Sequence, residues 1–251
     1  MNDVRPKIVI AVIVSVFAIG VVGCGERKPL STREIIEQVN ASGKITDAQA
    51  EILSKVSRLN LNGLTSITDE QAERLSKVDT LHLDGLTTIT AAQAKGLSKV
   101  ESLHLNGIAS ITNAQAEVLS GCQALSLNGL TSITDTQAEI LGKVESLLLG
   151  GLTSITEAQA ESLSKVQHLS LNGLTSITDL QAESLSKVYF LSLDGLLSIN
   201  DKQAESLSKV QCLFLTGLTS ITEKQAERLS KVEDLTISEA LQPLIDKYKN
   251  Q

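Results

Sequence analysis

The chain has 251 residues, a formal net charge of −7, 42% apolar residues, only 2% aromatic residues and no tryptophan. It contains no run or patch of Lys and Arg, which argues against nucleic-acid binding, because contacts to phosphates need clustered positive charge. A core with so few aromatic rings must consist of many small aliphatic contacts, and such a composition favours a repeated thin layer over one thick core.

The first 23 residues have the pattern of an export signal. Two basic residues precede an apolar run from Ile8 to Val22, which is short for a membrane-spanning helix of about 20 residues. The stretch VVGC at 21–24 follows the run and resembles a bacterial lipobox. This resemblance implies cleavage before Cys24 and attachment of lipid to the Cys24 thiol. The alternative is an uncleaved anchor helix in which the cysteine is incidental.

Both alternatives place the rest of the chain at a membrane surface, outside the cytoplasm. Gly25 and Glu26 follow Cys24, and no Asp comes directly after the cysteine. By resemblance to the sorting rules of such lipoproteins, this favours an outer membrane, facing the periplasm or the surface. We therefore expect a lipid-anchored protein of the cell envelope, with a signal peptide over 1–23 and a tether over 24–30.

A capping helix is predicted over residues 31–44. Ser31 and Glu34 have the spacing of a capping box, in which each side chain accepts a hydrogen bond from the backbone N–H of the other residue. Ile35, Ile36 and Val39 would form the apolar side of this helix.

Residues 45–237 contain a repeat with a constant period of 22 residues and no insertion. One leucine recurs at the same place in every copy, at Leu53, Leu75, Leu97, Leu119, Leu141, Leu163, Leu185, Leu207 and Leu229. Self-similarity at such a period indicates a solenoid, in which each unit buries its apolar face only by stacking on its neighbours.

The first part of each unit predicts a short strand and a turn. In one copy, Leu59 and Leu61 flank Asn60, an alternation that points both leucines into the core. Asn62 and Gly63 follow as a turn, in which glycine would permit a positive φ. The Asn or Asp that precedes this glycine in most copies is interpreted as turn chemistry rather than as a ligand contact.

The second part of each unit predicts a short helix. Thr68 and Gln71 form a capping box at its start, and the other copies repeat the pair, with Asn200 replacing Thr once. Parallel strands lie about 4.8 Å apart, whereas packed helices need about 10 Å. The strands must therefore line the concave side of a curved array.

The segment VDTLHLDGLTTIT at 78–90 resembles the unit of cysteine-containing leucine-rich repeats, with Leu86 at the place of the characteristic cysteine. The units are also shorter than in that subtype. The resemblance covers roughly 45–237. It implies an α/β fold, a right-handed leucine-rich-repeat solenoid used for binding, with parallel strands on the concave face and short helices on the convex face. Eukaryotic members often serve in ubiquitin ligases, but no F-box-like segment is visible here.

A second capping helix is predicted over residues 238–251. Ser238 is its expected N-cap, and its apolar stripe would consist of Leu241, Leu244, Ile245 and Tyr248. Together with the first capping helix, it would cover the exposed ends of the core.

The copies differ most at two outward-facing strand positions, which alternation places together on the concave face. All three histidines and two of the three phenylalanines lie there. The candidate partner-binding residues are therefore Arg58, His82, His104, Leu148, His168, Phe190, Cys212 and Phe214.

Two groups stand out among these candidates. His82 and His104 fall on neighbouring strands near Asp84. Two His and a carboxylate can bind a metal, but we favour a polar surface ladder, because no residues that would support the ligands can be identified. We expect no cofactor.

The second group is more apolar and consists of His168, Phe190, Cys212 and Phe214. It is either the anchor of a protein interface, where aromatic residues are enriched, or a few exposed apolar residues without a role. Clustering on a concave face supports the first interpretation.

No disulfide is expected. Cys122 falls in the core position of Val78, and Cys212 falls on the strand face four repeats later. Strands four places apart are separated by about 19 Å, whereas a disulfide needs Cα atoms within about 7 Å.

The sequence carries no nucleophile elbow, no phosphate loop, no HExxH and no CxxC, so we predict that the protein is not an enzyme. The leading hypothesis is a monomeric, membrane-anchored protein that binds a protein or glycan on its concave face. A structural envelope spacer without a specific ligand is the alternative, favoured by the near-identical units. A metal-dependent enzyme using His82 and His104 is a third hypothesis.

Overall fold

The computed structural model describes residues 29–249. The proposed signal peptide, Cys24 and most of the tether lie outside the described residues, so lipidation of Cys24 stays a prediction. A search of residues 29–249 for a helix with the length and apolar character of a membrane span finds none.

The strands form a single parallel sheet of nine, ordered as they occur in the chain. Each strand pairs with the next at a shift of one repeat, as Leu59 does with Leu81. The strands are β1 (Arg58–Asn60), β2 (Thr80–His82), β3 (Ser102–His104), β4 (Ala124–Ser126), β5 (Ser146–Leu148), β6 (His168–Ser170), β7 (Phe190–Ser192), β8 (Cys212–Leu215) and β9 (Asp234–Ile237).

One short helix alternates with each strand, between two capping helices. The helices are α1 (Thr32–Ser42), α2 (Asp47–Leu53), α3 (Asp69–Leu75), α4 (Ala91–Leu97), α5 (Asn113–Leu119), α6 (Asp135–Leu141), α7 (Glu157–Leu163), α8 (Asp179–Leu185), α9 (Asp201–Leu207), α10 (Glu223–Leu229) and α11 (Gln242–Lys249). The predicted α/β leucine-rich-repeat solenoid is thereby confirmed.

Every helix from α1 to α10 begins at a capping box, as the spacing predicted. At α6, the Gln137 Oε1 atom accepts from the Thr134 backbone N–H (2.9 Å), and the Thr134 hydroxyl accepts from the Gln137 N–H (3.1 Å). Such a cap stabilises a helix by about 1 kcal/mol. Helices of seven residues need it, because so short a helix is not stable by itself.

The core is a stack of aliphatic side chains, one layer per repeat. In each layer the two inward leucines of the strand, such as Leu59 and Leu61, pack with an alanine and a leucine of the helix, such as Ala72 and Leu75, and all four are buried. Each buried leucine contributes about 2 kcal/mol relative to an exposed one, so the repeats hold together mainly through this stack.

The Gln of each capping box also joins its repeat to the preceding one. The Gln137 Nε2 group donates to the backbone carbonyl of Ile111 at 2.7 Å. The same bond recurs in the pairs Gln71–Ile45, Gln93–Ile67, Gln115–Ile89, Gln159–Ile133, Gln181–Ile155, Gln203–Ile177 and Gln225–Ile199. We call this series the glutamine ladder.

A second series of bonds, the turn ladder, runs along the other edge of the sheet. The Asn106 side-chain oxygen accepts from the backbone N–H of Asn128 at 3.0 Å. Equivalent bonds run from Asp84 to Asn62, from Asn106 to Asp84, from Gly150 to Asn128, from Asp194 to Asn172 and from Thr216 to Asp194. The prediction that this column serves the turn is confirmed, with the addition that it links repeats.

The expected reason for the turn glycines is wrong. Gly43, at the end of α1, is the one glycine of residues 29–249 with a positive φ, at 69°. At Gly129, by contrast, an added Cβ atom would lie 2.3 Å from the Asn106 carbonyl oxygen and 2.6 Å from that of Ile108. Glycine is required there because the backbone of the preceding repeat approaches so closely, and not because of a left-handed turn.

The C-terminal capping helix starts later than predicted. Helix α11 begins at Gln242, so Ser238 is not its N-cap. Instead, the Ser238 backbone carbonyl accepts from the N–H of Leu241 at 2.9 Å in a turn. Helix α11 packs on α10, where Lys247 and Tyr248 both bond the Glu223 carboxylate.

Candidate functional site

The two outward columns of the sheet form one surface, which we call the strand face. The register puts the predicted residues side by side in each column. The first column is Arg58, Thr80, Ser102, Ala124, Ser146, His168, Phe190, Cys212 and Asp234. The second is Asn60, His82, His104, Ser126, Leu148, Ser170, Ser192, Phe214 and Thr236.

Two serines of the second column are buried and belong to the turn ladder. The Ser126 hydroxyl donates to the Asn106 side-chain oxygen at 2.6 Å, and the Ser192 hydroxyl does the same to Asn172. Ser192 also donates to Asp194 at 2.8 Å. Burial raises the pKa of Asp194, but hydrogen bonds from Thr216 and Ser192 outweigh it and lower that pKa overall.

His82 and His104 form a stacked pair. Their ring centroids lie 3.9 Å apart, with an angle of 18° between the ring planes. Burial lowers the pKa of His104, and a charge on His82 lowers it further, against a smaller opposing effect of Asp84. His104 therefore favours the neutral imidazole.

The candidate metal ligands His82, His104 and Asp84 do not converge into a group of three. The Asp84 carboxylate is engaged in the turn ladder, where its Oδ1 atom accepts from the Asn106 N–H at 3.0 Å. No group of three or more His, Cys, Asp or Glu side chains within residues 29–249 is arranged to hold a metal ion. The geometry of His82 and His104 is that of a polar stack on the sheet surface.

Five side chains form a second cluster on β6 to β8, which we call the aromatic patch: His168, Tyr189, Phe190, Cys212 and Phe214. The Phe190 and Phe214 ring centroids are 4.8 Å apart at a tilt of 38°. His168 meets Phe190 edge-on at 5.9 Å and Tyr189 edge-on at 6.4 Å. Aromatic pairs in such tilted and edge-on arrangements attract each other beyond simple burial.

Tyr189 was not among the residues predicted from the sequence. It precedes β7 and so belongs to neither outward column, yet its side chain remains 56% exposed beside His168. A signal was available, because the same position in the other copies holds a polar residue: Ser57, Asp79, Glu101, Gln123, Glu145, Gln167, Gln211 or Glu233.

Cys122 and Cys212 lie where the sequence placed them, and both are free thiols. Cys122 is buried in the core, and burial raises its pKa to about 12. Cys212 lies on the strand face, where burial raises its pKa, followed in importance by the charges of Asp234 and Glu233. Both thiols therefore favour the protonated, unreactive form.

The two remaining candidates lie outside both ring clusters. Arg58 is exposed on β1, at the N-terminal end of the sheet. Leu148 stands between Ser126 and Ser170 in the second column. The structure thus divides the strand face into a histidine pair near the N-terminal end and an aromatic patch near the C-terminal end.

The parallel sheet, the short helices and the two ladders define a leucine-rich-repeat solenoid, and solved structures of internalins share this fold. An internalin (inlF) from Listeria monocytogenes has 21% sequence identity and a TM-score of 0.53, with 81% of this chain and 61% of that one covered. Internalin C2 (inlC2) from the same organism has 18% identity and a TM-score of 0.52, with coverages of 82% and 91%.

The chain therefore spans about three fifths of the length of the first of these internalins, 61%. No protein-family model matches the chain, and no curated protein does. At these identities, the similarity to internalins concerns the fold alone.

Proposed function

We propose that this protein is a lipid-anchored, extracytoplasmic binding protein that recognises a protein or glycan partner on its strand face. The observation that carries the proposal is the aromatic patch. Four rings, those of His168, Tyr189, Phe190 and Phe214, meet on an otherwise small and polar surface. Tyr189 is exposed and the other three rings are half-buried, and aromatic side chains that remain accessible in this way are enriched at protein interfaces.

The fold supports a binding role over a catalytic one. Stacked repeats present an extended, rigid surface, and many of its hydroxyl and carboxylate side chains are engaged in holding it together. The capping threonines bond the starts of the helices, as Thr134 does, and Asp84 bonds a backbone N–H. We infer that the protein binds without catalysing a reaction, and that it does so as a monomer.

The proposed anchor is Cys24, in the lipobox-like stretch VVGC at 21–24. Helix α1 begins at Thr32, so only a short tether would separate the lipid from the solenoid. Mass spectrometry of the purified protein should show a lipid-modified N-terminal Cys24. An unmodified Cys24 with 1–23 still attached would contradict this part of the proposal, and fractionation of the envelope would test the outer-membrane location.

Site-specific photocrosslinking in intact cells tests the binding role. A photoreactive residue at Ser170, on the strand face beside the aromatic patch, should capture a partner. The same residue at Glu183, exposed on α8 of the same repeat, is the matched control and should capture none. The double substitution Phe190→Ala and Phe214→Ala should abolish capture at Ser170. Equal capture at both positions, or capture that survives the double substitution, would contradict the proposal.

A structural spacer without a ligand is the second candidate function, favoured by the uniform ladders that repeat through the array. A spacer needs the length of the solenoid but not its surface. It predicts that cells with the Phe190→Ala and Phe214→Ala protein behave as the wild type does, whereas removal of one whole 22-residue repeat changes the envelope.

A further inference from the structure

The charges around the aromatic patch have one sign. The strand segments and turns that surround it, 166–172, 188–194, 210–216 and 232–238, contain three carboxylates and no Lys or Arg. These carboxylates belong to Asp194, Glu233 and Asp234. On the strand face as a whole, the one Lys or Arg in the two columns is Arg58, at the opposite end of the sheet.

Cations are placed differently on the helix side of the same repeats. There, Lys224 pairs with Asp201 at 2.8 Å, and Lys247 pairs with Glu223 at 2.6 Å. Lys231, the cation closest in sequence to Glu233, lines a shallow depression beside Glu227 and Tyr248 on that side. Lys224, Lys231 and Lys247 thus lie on the helix side, whereas the strand segments around the aromatic patch contribute carboxylates alone.

The carboxylates are close enough to act on the patch. In the register, Asp234 of β9 is opposite Cys212, and Thr236 is opposite Phe214. The charges of Asp234 and Glu233 contribute to the raised pKa of the Cys212 thiol, so their field reaches the strand that carries Phe214. Neighbouring parallel strands are about 4.8 Å apart, and Asp234 lies one strand from Phe214 and two strands from Phe190.

Aromatic faces next to a carboxylate are a recognition site for an organic cation. A guanidinium or ammonium group within about 6 Å of a ring centroid is attracted by the ring quadrupole. A carboxylate on the next strand would neutralise its charge through a charge-assisted hydrogen bond. Anionic surfaces, such as acidic lipids or nucleic acids, are repelled by the same carboxylates.

We propose that the aromatic patch binds a basic segment of a partner protein, with an Arg or Lys side chain seated against the Phe190 and Phe214 rings and paired with Asp234. This inference rests on the proposed function and names the class of partner. Glu233 and Asp194 extend the negative surface to either side, so neighbouring basic residues of the segment add to binding. Arg suits the site best, because its planar guanidinium stacks on rings and binds carboxylates with two hydrogen bonds.

A peptide-binding experiment tests the inference on the full-length protein in nonionic detergent. The probe is a fluorescein-labelled peptide with alternating Gly and Arg, and its partner probe carries citrulline, which is neutral and nearly isosteric, in place of each Arg. Fluorescence anisotropy should show saturable binding of the arginine peptide, and binding of the citrulline peptide weaker by about tenfold or more. Binding should weaken with rising salt, because exposed charges are screened.

Matched variants locate the site. Asp234→Asn and Phe214→Ala should each weaken binding of the arginine peptide by about fivefold or more. Glu101→Gln removes the carboxylate that corresponds to Glu233 but lies beside β3, three to five strands from the patch, and it should leave binding unchanged. Equal binding of the citrulline peptide, or equal losses in Asp234→Asn and Glu101→Gln, would overturn the inference, since either result shows that only diffuse charge or nonspecific contact is at work.

The inference of a basic partner segment and the proposed binding function can fail independently of each other. If the photocrosslinker at Ser170 captures a partner whose contacting segment is acidic, or a glycan, the basic-segment inference fails while the binding function stands. If the arginine peptide binds at Asp234 and Phe214 but no crosslinker position captures a cellular partner, the proposed function fails. Association of a second copy of this chain through its lysine-rich helix side would be detected by analytical ultracentrifugation and would identify the basic segment as the protein's own.

Discussion

The boundaries between stacked repeats, which we call the seams, differ from the strand face in what their side chains contact. Along the seams, Gln137 and its equivalents bond the backbone of the preceding repeat, and Gly129 and its equivalents make room for that backbone. The same residue therefore recurs at nearly every seam position. On the strand face, side chains contact mainly one another and solvent, so residues as different as His104, Leu148 and Phe214 occupy one column.

This difference shows where binding specificity can be encoded. A side chain that bonds a main-chain atom of its neighbour has few workable identities, because the geometry repeats with the fold: Gln in one ladder, Asn or Asp in the other. Apart from the buried Ser126 and Ser192, a strand-face side chain can change without loosening the stack. The aromatic patch illustrates this freedom, since it occupies positions where other repeats carry Ser, Thr or Ala.

The largest effect that the comparison predicts is at a turn glycine. Gly129→Ala should lower the free energy of unfolding by about 3 kcal/mol, because the new Cβ atom must displace two backbone carbonyl groups of the preceding repeat. Chemical denaturation followed by circular dichroism measures the change.

A matched control exists in the same repeat. An added Cβ atom at Gly121 would lie 3.2 Å from its nearest neighbour, the Val118 carbonyl oxygen, and Lys occupies this position in most other copies. Gly121→Ala should change stability by less than about 1 kcal/mol. Similar losses in both variants would show that close approach of the backbone is not the reason for glycine in the turns.

The next effect concerns the glutamine ladder. Gln137→Glu keeps the capping box with Thr134, because a carboxylate accepts the same bond, but it removes the donor to the Ile111 carbonyl and buries a charge beside it. We expect a loss of about 2 kcal/mol, measured by the same denaturation experiment.

Gln49 provides the comparison for this prediction. It makes the same capping box with Thr46 at 2.9 Å, but it starts the first repeat, where no earlier repeat supplies a carbonyl. Gln49→Glu should therefore change stability by less than about 0.5 kcal/mol. If it costs as much as Gln137→Glu, the ladder bond contributes nothing.

A stabilising change is predicted where the turn ladder is interrupted. Gly150 occupies the column of Asn and Asp and has no side chain to accept from the Asn172 N–H. Gly150→Asn should supply that acceptor and raise the free energy of unfolding by about 1 kcal/mol. Gly150→Ala is the control, because it removes the flexibility of glycine without adding an oxygen. The idea is refuted if Ala stabilises as much as Asn.

The smallest effect belongs to the strand face. The pKa of His104 is lowered in the folded protein by burial and then by His82, so protons bind the unfolded chain more readily. Stability should therefore fall as the pH drops below about 6.5, the ordinary value for histidine. The substitution His104→Asn should make the free energy of unfolding less dependent on pH between about pH 7.5 and pH 5, as measured by denaturation. In His168→Asn, the pH dependence that comes from His104 should remain. A slope that His104→Asn leaves unchanged would rule out the stacked pair as its source.

The sequence was sufficient for features that depend on one repeat or on its period. The capping box of Thr68 and Gln71 spans three residues, and the strand register follows directly from the constant period, so both were predicted correctly. The second bond of each Gln was missed because it depends on how closely two repeats approach. The sequence did contain a signal for this second bond. Glu serves in a capping box as well as Gln does, yet every repeat has Gln, the residue whose amide can also donate.

Other features of the site needed three-dimensional distances. Alternation along the strands predicted that His82 and His104 lie side by side. It could not predict that their rings stack with centroids 3.9 Å apart. Tyr189 was missed because it lies just before its strand and turns toward His168. The carboxylates near the aromatic patch were likewise missed, because their closeness to it appears only when β9, with Asp234, is placed beside β8, with Phe214.

The missing turn-ladder side chain at Gly150 affects how the protein unfolds. In an array where each repeat contacts only its neighbours, cooperativity passes from one interface to the next. Because the turn-ladder bond to Asn172 is missing while the bonds on either side are present, we expect the interface between β5 and β6 to be weaker than its two neighbours. Residues before and after this interface should therefore behave as two folding blocks, one with the histidine pair and one with the aromatic patch. Hydrogen exchange should show its earliest internal opening there, so that the block with the aromatic patch can remain folded while the block with the histidine pair opens.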